Sequence, residues 1–462
     1  MERACVRIEN IKIENFKNVK MGQISLKNNR KNYKASILGI YGQNGSGKTA
    51  LIDAIMLLKL ALCGNSIPSE YADYINVDGK YATMKYELTV ELSHISYKVI
   101  YEFKLKKEIE EDNENILDIE NYKAVIYDEI LSCSYVTKEE SARMSKLINT
   151  SEGEVFTPKN KYQMLVGKSK SLETELQVTK RLALATGKSF IFSTDLLKAI
   201  TQHSSHLHYH DLIKTLINYG QYELLVINTK YNGLISLNAL PLSFKYENNE
   251  RSGIVGNIAL PLNEAQTIPL EVVDVIEKII PNMNIVLSQI VPGLTISMHN
   301  FGKQLLKNGK EGCRVQLMSK KNNKEIPLRY ESEGIKKIIS ILQLLIVVYN
   351  NSSITVAIDE LDAGIFEYLL GELLRIISEK GKGQLIFTSH NLRPLETLDK
   401  GFIAFTTTNP ENRYLRMTNV KENNNLRDFY YRDIVLGEQD EVVYDLTNNY
   451  DIALAFREAG DM

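Results

Sequence analysis

Apolar and polar side chains alternate across residues 6–16, the two-residue period of a half-buried strand. A short apolar run at 35–41 predicts a second strand, and 50–62 carries helical spacing. Strand, strand, loop and helix in this order make half of an α/β core. Further on, Met84, Tyr86, Leu88, Val90 and Leu92 alternate with polar residues, as do Tyr97, Val99, Tyr101, Phe103 and Leu105. With Ser93-His94 at the reversal, the pattern predicts an antiparallel hairpin. Residues 122–135 add a strand, and the acidic stretch 107–118 before it reads as a solvated loop.

The period lengthens after residue 157. Helical pieces are expected at 173–185, 210–219 and 270–280, broken by polar loops. No heptad pattern persists long enough to support a long coiled coil. From residue 303 strands and helices alternate again, at 312–319, 334–349, 354–358, 365–378, 384–388 and 402–406. The fold expected is α/β, with three parts. Residues 1–156 are expected to form one half of the α/β core with an antiparallel β lobe, 157–300 a mainly helical insertion, and 301–462 the other half of the core. Phe429-Tyr430-Tyr431 and the run 453–456 give the polar C-terminal stretch apolar groups to pack.

At 462 residues, 44% hydrophobic and 24% charged, the chain has material for two or three structural units. A formal charge of -2 gives no global basic field for nucleic acid. Cys5, Cys63, Cys133 and Cys313 lie far apart with no CxxC pair. Neither a disulfide framework nor a zinc knuckle is expected, and a reducing cytoplasm fits. The first residues lack an apolar signal core, and the longest apolar stretch, 338–349, falls short of the roughly 20 residues that span a membrane. Neither export nor a membrane partner is expected.

Candidate chemistry begins at Gly42-Gln43-Asn44-Gly45-Ser46-Gly47-Lys48-Thr49, which matches GxxxxGK[ST] between an apolar strand and a helix. In such a loop Gly42, Asn44, Gly45, Ser46 and Gly47 bring backbone N–H groups to phosphate oxygens. Lys48 reaches the terminal phosphates, and Thr49 offers a hydroxyl to Mg²⁺. ATP and Mg²⁺ are the expected cofactors. The β-branched run 354–358 ends in Asp359-Glu360. At a strand tip Asp359 suits a Mg²⁺ shell and Glu360 suits polarisation of an attacking water. The run 384–387 ends in Thr388-Ser389-His390-Asn391. At the carboxyl end of a strand beside Asp359-Glu360, His390 would face the crevice where α/β sheets hold ligands, contacting a γ-phosphate or positioning water. The candidate metal ligands are therefore Thr49 and Asp359, and the candidate catalytic groups Glu360 and His390.

The order of these motifs resembles the ABC-type ATPase superfamily, in particular its SMC-like soluble branch. Residues 11–17 resemble the opening strand of those proteins and 42–49 their Walker A. Tyr330-Glu331-Ser332-Glu333-Gly334-Ile335-Lys336-Lys337 resembles a divergent signature, 354–362 Walker B with the D-loop, and Thr388-Ser389-His390 the switch loop. The resemblance implies two heads sandwiching two ATP molecules. Each site would join one P-loop to Ser332 and Gly334 of a second copy, with Asp362 at the seam. A hydroxyl and helix N-terminal N–H groups at 332–334 suit a γ-phosphate presented in trans. Glu333 stands where the signature usually has glycine, and no glutamine loop can be placed within 84–135. Compact chains of this type are similar to ATPases of the overcoming-lysogenisation-defect group and of anti-phage systems such as PARIS, Septu and abortive-infection loci. That resemblance implies an ATP-hydrolysing switch or sensor, dimeric or higher, that controls a separate effector protein in bacterial anti-phage defence. A compact DNA-repair or recombination clamp is the alternative.

Four of the seven histidines, His203, His206, His208 and His210, crowd one segment. A metal site would need them on one side of a strand, whereas the local pattern is helical, so a surface loop or partner contact is expected. Basic stretches at 28–34, 159–170 and 303–324 leave nucleic acid open as a partner, against the plainer reading of solvated faces.

Overall fold

The alternating segments of the N-terminal part close on one another as antiparallel strands in a computed structural model. It describes residues 4–27, 35–109, 122–204, 206–247, 253–418, 425–437 and 439–460. Strands β1 (Cys5–Phe16) and β2 (Val19–Ser25) lead through β3 (Ser36–Tyr41) into helix α1 (Lys48–Leu62). Next come β4 (Tyr81–Leu92), β5 (Ile95–Ile109), β6 (Tyr122–Val136) and β7 (Ser141–Asn149). Together they form a lobe sheet of order β2-β1-β4-β5-β6-β7. The expected hairpin pairs Met84 with Phe103, Tyr86 with Tyr101 and Leu88 with Val99. All six are buried, because a period of two sends the whole apolar set to one face.

The middle of the chain supplies α2 (Lys159–Val166), α3 (Lys170–Ala185), α4 (Thr194–His203) and α5 (Leu207–Asn218). It continues through β8 (Leu224–Ile227), α6 (Thr229–Ser236), β9 (Ala239–Glu247), β10 (Gly253–Pro261), β11 (Gln266–Pro269) and α7 (Leu270–Ile290). The helices expected at 173–185 and 210–219 form, and the one expected to stop at 280 runs on with Pro281 inside it. Helices dominate 157–300, as expected, with short strands among them. β9 and β10 pair with each other, and β8 joins the central sheet.

The remainder comprises β12 (Thr295–Leu305), β13 (Glu311–Lys321), β14 (Lys324–Pro327), α8 (Glu333–Asn350), β15 (Thr355–Ile358) and α9 (Glu367–Lys380). It ends with β16 (Gln384–Thr388), α10 (Pro394–Thr397), β17 (Ile403–Thr406), β18 (Tyr414–Leu415), α11 (Leu426–Leu436) and α12 (Asn449–Gly460). The central sheet has the order β18-β17-β3-β16-β15-β8, all parallel except β18.

Alternation splits each central strand between two cores. Leu38, Ile40, Val226, Ala357 and Ile386 join α1 and the lobe on one side. Ile37, Tyr41, Ile227, Val356, Ile358 and Phe387 join α7, α8 and α9 on the other. Burial on both faces explains why these strands read as continuous apolar runs. α1 is apolar almost all round and nearly wholly buried between the two sheets. Its first turn is thereby fixed against the central sheet. The Tyr86 hydroxyl donates to Ala54 O at 2.6 Å, tying the lobe to that helix. In the C-terminal stretch Phe429 and Tyr430 are buried as expected, whereas α12 buries no residue against the other described residues. No helix among the described residues is long and apolar enough to cross a membrane.

Candidate functional site

Strand order brings the motifs together. β16 lies between β3 and β15, all three parallel, so the loop after Tyr41, the pair Asp359-Glu360 and the end of β16 meet at one carboxyl edge. A cleft of about 360 Å³ opens there. Its walls include Asn44, Gly45, Ser46, Gly47, Lys48 and Thr49 from the loop, and Asp359, Glu360, Thr388 and His390 from the strand ends. Thr49 and Asp359 offer the hydroxyl and carboxylate oxygens that Mg²⁺ prefers. Lys17 and Asn18, from the β1–β2 turn, also line the cleft. Sequence reasoning gave them no role, because only the antiparallel return of β2 carries that turn to the loop. No glutamine among the described residues lines it.

The loop is held at several points. Gly47 precedes α1 with φ of 96°, a left-handed conformation that glycine adopts without strain. Lys48 is buried and donates to Gly42 O at 2.8 Å and Gln43 O at 2.9 Å. Burial lowers its pKa, opposed by the negative charges of Asp359, Glu360 and Asp362. Ser46 donates to Gln43 O at 2.6 Å and shares a hydrogen bond with the Thr406 hydroxyl. Tyr414 donates to Gly47 O at 2.9 Å, and the Asp445 N–H donates to Gln43 Oε1 at 2.9 Å. Asn18 donates to Gly45 O. Thr406, Tyr414 and Asp445 lie some 360 to 400 residues from the loop and carry no local signal, so they could not be foreseen.

The strand ends are laced to each other. Thr388 donates to Asp359 Oδ1 and accepts the Glu360 N–H at 2.8 Å, while its carbonyl accepts the Leu361 N–H at 3.1 Å. The Asp359 N–H donates to Ile227 O at 2.9 Å, which anchors it to β8. Asp362 Oδ2 accepts from the N–H groups of His390 at 3.1 Å and Asn391 at 3.0 Å, so within one chain it holds the loop after β16. Lys337 is buried on α8 and burial pulls its pKa down to about 8, against the opposing charges of Asp362, Glu360 and Asp359.

Ser332 and Gly334 stand apart from the cleft. Ser332 is exposed and caps α8 by accepting the Ile335 N–H at 3.3 Å. A Cβ on Gly334 would meet Gly364 O at 2.2 Å, so only glycine lets the start of α8 approach the turn after Asp362. Among the histidines, His208 packs against Tyr97, Tyr135 and Tyr209, with its Nδ1 2.9 Å from the Tyr97 hydroxyl. No group of metal-ligating side chains forms there or elsewhere among the described residues. The basic stretch 28–34 and most of the acidic stretch 107–118 lie outside the described residues.

A sequence profile of the family described as AAA ATPase domain matches residues 7–393. No curated protein matches the chain. Among solved structures it is similar to an Smc head bound to the C-winged helix domain of ScpA, with 14% identity and a TM-score of 0.40 over 89% of this chain and 98% of that one. It is also similar to the SMC head domain from Thermotoga maritima, with 14% identity and a TM-score of 0.36 over 89% and 99% of the two chains. The recombination mediator protein RecF with ATP gives 13% identity and a TM-score of 0.34 over 84% and 94%.

Proposed function

The chain belongs to the AAA ATPase domain family, and on that footing we propose that it binds ATP with Mg²⁺ and hydrolyses it in the cleft at the ends of β3, β15 and β16. The observation that carries this reading is the meeting of Lys48 and Thr49 with Asp359, Glu360 and His390 in one cleft. Lys48 and the loop N–H groups bind phosphate oxygens, Glu360 takes a proton from the attacking water, and His390 contacts the terminal phosphate. Thr49 and Asp359 would hold Mg²⁺, which supplies charge neutralisation at the phosphates. Ser332, exposed, and Gly334, half-buried, stand at the start of α8 outside their own chain's cleft and complete the site of a second copy, with Asp362 at the seam.

The downstream role we assign is a cytoplasmic ATP-dependent switch that controls a separate effector protein in bacterial anti-phage defence. Its support is the resemblance of residues 330–337 and of the motif order to ATPases of such systems. The variant Glu360→Gln tests the catalytic reading. It should keep ATP bound, lose turnover by roughly 10²- to 10⁴-fold, and associate in MgATP as measured by sedimentation. Adding Ser332→Arg should abolish association while ATP stays bound; a dimer that persists would remove the trans-site. Salt-sensitive duplex binding stimulated by ATP would instead favour a recombination clamp.

A further inference from the structure

We propose that Thr388 is a positioning residue for hydrolysis, whose hydroxyl sets both the metal-binding carboxylate and the backbone that aims the general base. This rests on the roles given above to Asp359 and Glu360. Thr388 ends β16 and is 1% exposed, so little of its side chain is open to solvent. One hydroxyl has one proton to give and lone pairs to accept with. Here the proton goes to Asp359 Oδ1, and the oxygen accepts the Glu360 N–H at 2.8 Å. The carbonyl of the same residue accepts the Leu361 N–H at 3.1 Å. Three successive residues beyond β15 are thus held by one residue of the neighbouring strand.

Glu360 needs such a hold. Its φ is 48°, in the left-handed region that a residue with a Cβ enters at a cost. That conformation turns the chain sharply after Asp359, so that the carboxyl groups of two adjacent residues both line the cleft. In an extended strand adjacent side chains would point to opposite faces. Without an acceptor for its N–H, Glu360 has less to keep it in that conformation, and its carboxylate drifts from the attacking water. The β-branched methyl of threonine restricts χ1, which fixes the direction of the hydroxyl. Two residues later Asp362 takes the N–H groups of His390 and Asn391. Both ends of the same turn are therefore tied to the loop that carries His390.

The test compares Thr388→Val, nearly the same shape without the hydroxyl, with Thr388→Ser, which keeps it. In the full chain with MgATP, valine should lower kcat by about 10- to 100-fold, the loss expected for a displaced catalytic group, while ATP affinity by nucleotide titration stays within about threefold. Serine should restore kcat to within about threefold of wild type. In the Glu360→Gln background valine should lower the single-turnover rate by clearly less than it does in the wild-type background, because the part of its effect that passes through Glu360 is already lost. If thermal melting shows the valine variant unfolded, Thr388→Ala carries the same comparisons. Wild-type kcat in the valine or alanine variant, an additive loss in the Glu360→Gln background, or failure of serine to rescue would each overturn the proposal. Lys48→Ala separates this from the reading beneath it. Turnover that survives Lys48→Ala removes the site itself, whereas turnover lost there but untouched by valine removes only the role of Thr388.

Discussion

Arg413 braces the P-loop from the far end of the sequence. The residue is 5% exposed and its guanidinium donates to Thr407 O and Asn18 O, each at 2.6 Å, while its stem lies where a Cβ on Gly47 would fall within 3.1 Å. Charged donors on buried carbonyls are among the stronger hydrogen bonds, so Arg413→Met should cost about 3 kcal/mol in urea unfolding. ATP affinity should fall with it, since Asn18 lines the cleft. An unfolding midpoint equal to that of wild type would show that the two bonds contribute nothing. Lysine, a point charge without the planar fork, should restore only part of the loss. No motif points to Arg413; it meets Gly47 because β17 and β18 return beside β3. Asp359, Glu360 and His390 were legible for the opposite reason, since each follows an apolar run that fixes its place near a strand end, and Lys48 was legible from the local glycine-rich motif between a strand and a helix.

Among the elements, the middle of the lobe depends on one buried carboxylate. Glu129 of β6 accepts hydrogen bonds from the hydroxyls of Tyr101 and Ser189 and from the Phe190 N–H, which fastens the segment after α3 to the lobe sheet. Burial nonetheless raises its pKa above the ordinary 4.5. The native state therefore binds this proton more tightly than the unfolded chain. The stability it contributes is complete below the unfolded value and is lost as pH rises through the folded one. Glu129→Gln should flatten that decline when urea unfolding is repeated across pH; an unaltered slope would assign the decline to other groups. Element legibility followed burial. β4 and β5 alternate cleanly because one face is buried, whereas β7 is exposed along most of its length and shows no period. β8, only four residues and buried throughout, cannot be told from a helix fragment by periodicity. That ambiguity is why β8, which completes the central sheet, is not among the strands that the sequence suggests.

At the scale of the molecule, the central sheet lies between α1 with the lobe on one side and α7, α8 and α9 on the other. The arrangement links the two ends of the sequence. Arg7 donates to Lys382 O at 3.1 Å and the Ile8 N–H to Gln384 Oε1 at 2.8 Å, so the lobe and β16 are joined directly. The α/β class and the motif order were legible because they rest on local runs of apolar residues. The pairing of β8 with β15, and the support of the P-loop from residues beyond 400, rest on long-range packing that no local window contains. The same packing leaves Ser332 exposed and the cleft open at one carboxyl edge, which is the geometry that a second copy would complete. The central claim remains that Lys48 and the carboxylates opposite it form an ATP-hydrolysing site. Phosphate release from ATP, followed side by side for the wild-type chain and Lys48→Ala, with and without Mg²⁺, tests it most directly. The account predicts Mg²⁺-dependent turnover that Lys48→Ala abolishes; turnover unchanged by that substitution, or a wild-type chain that neither binds nor hydrolyses ATP, would contradict it.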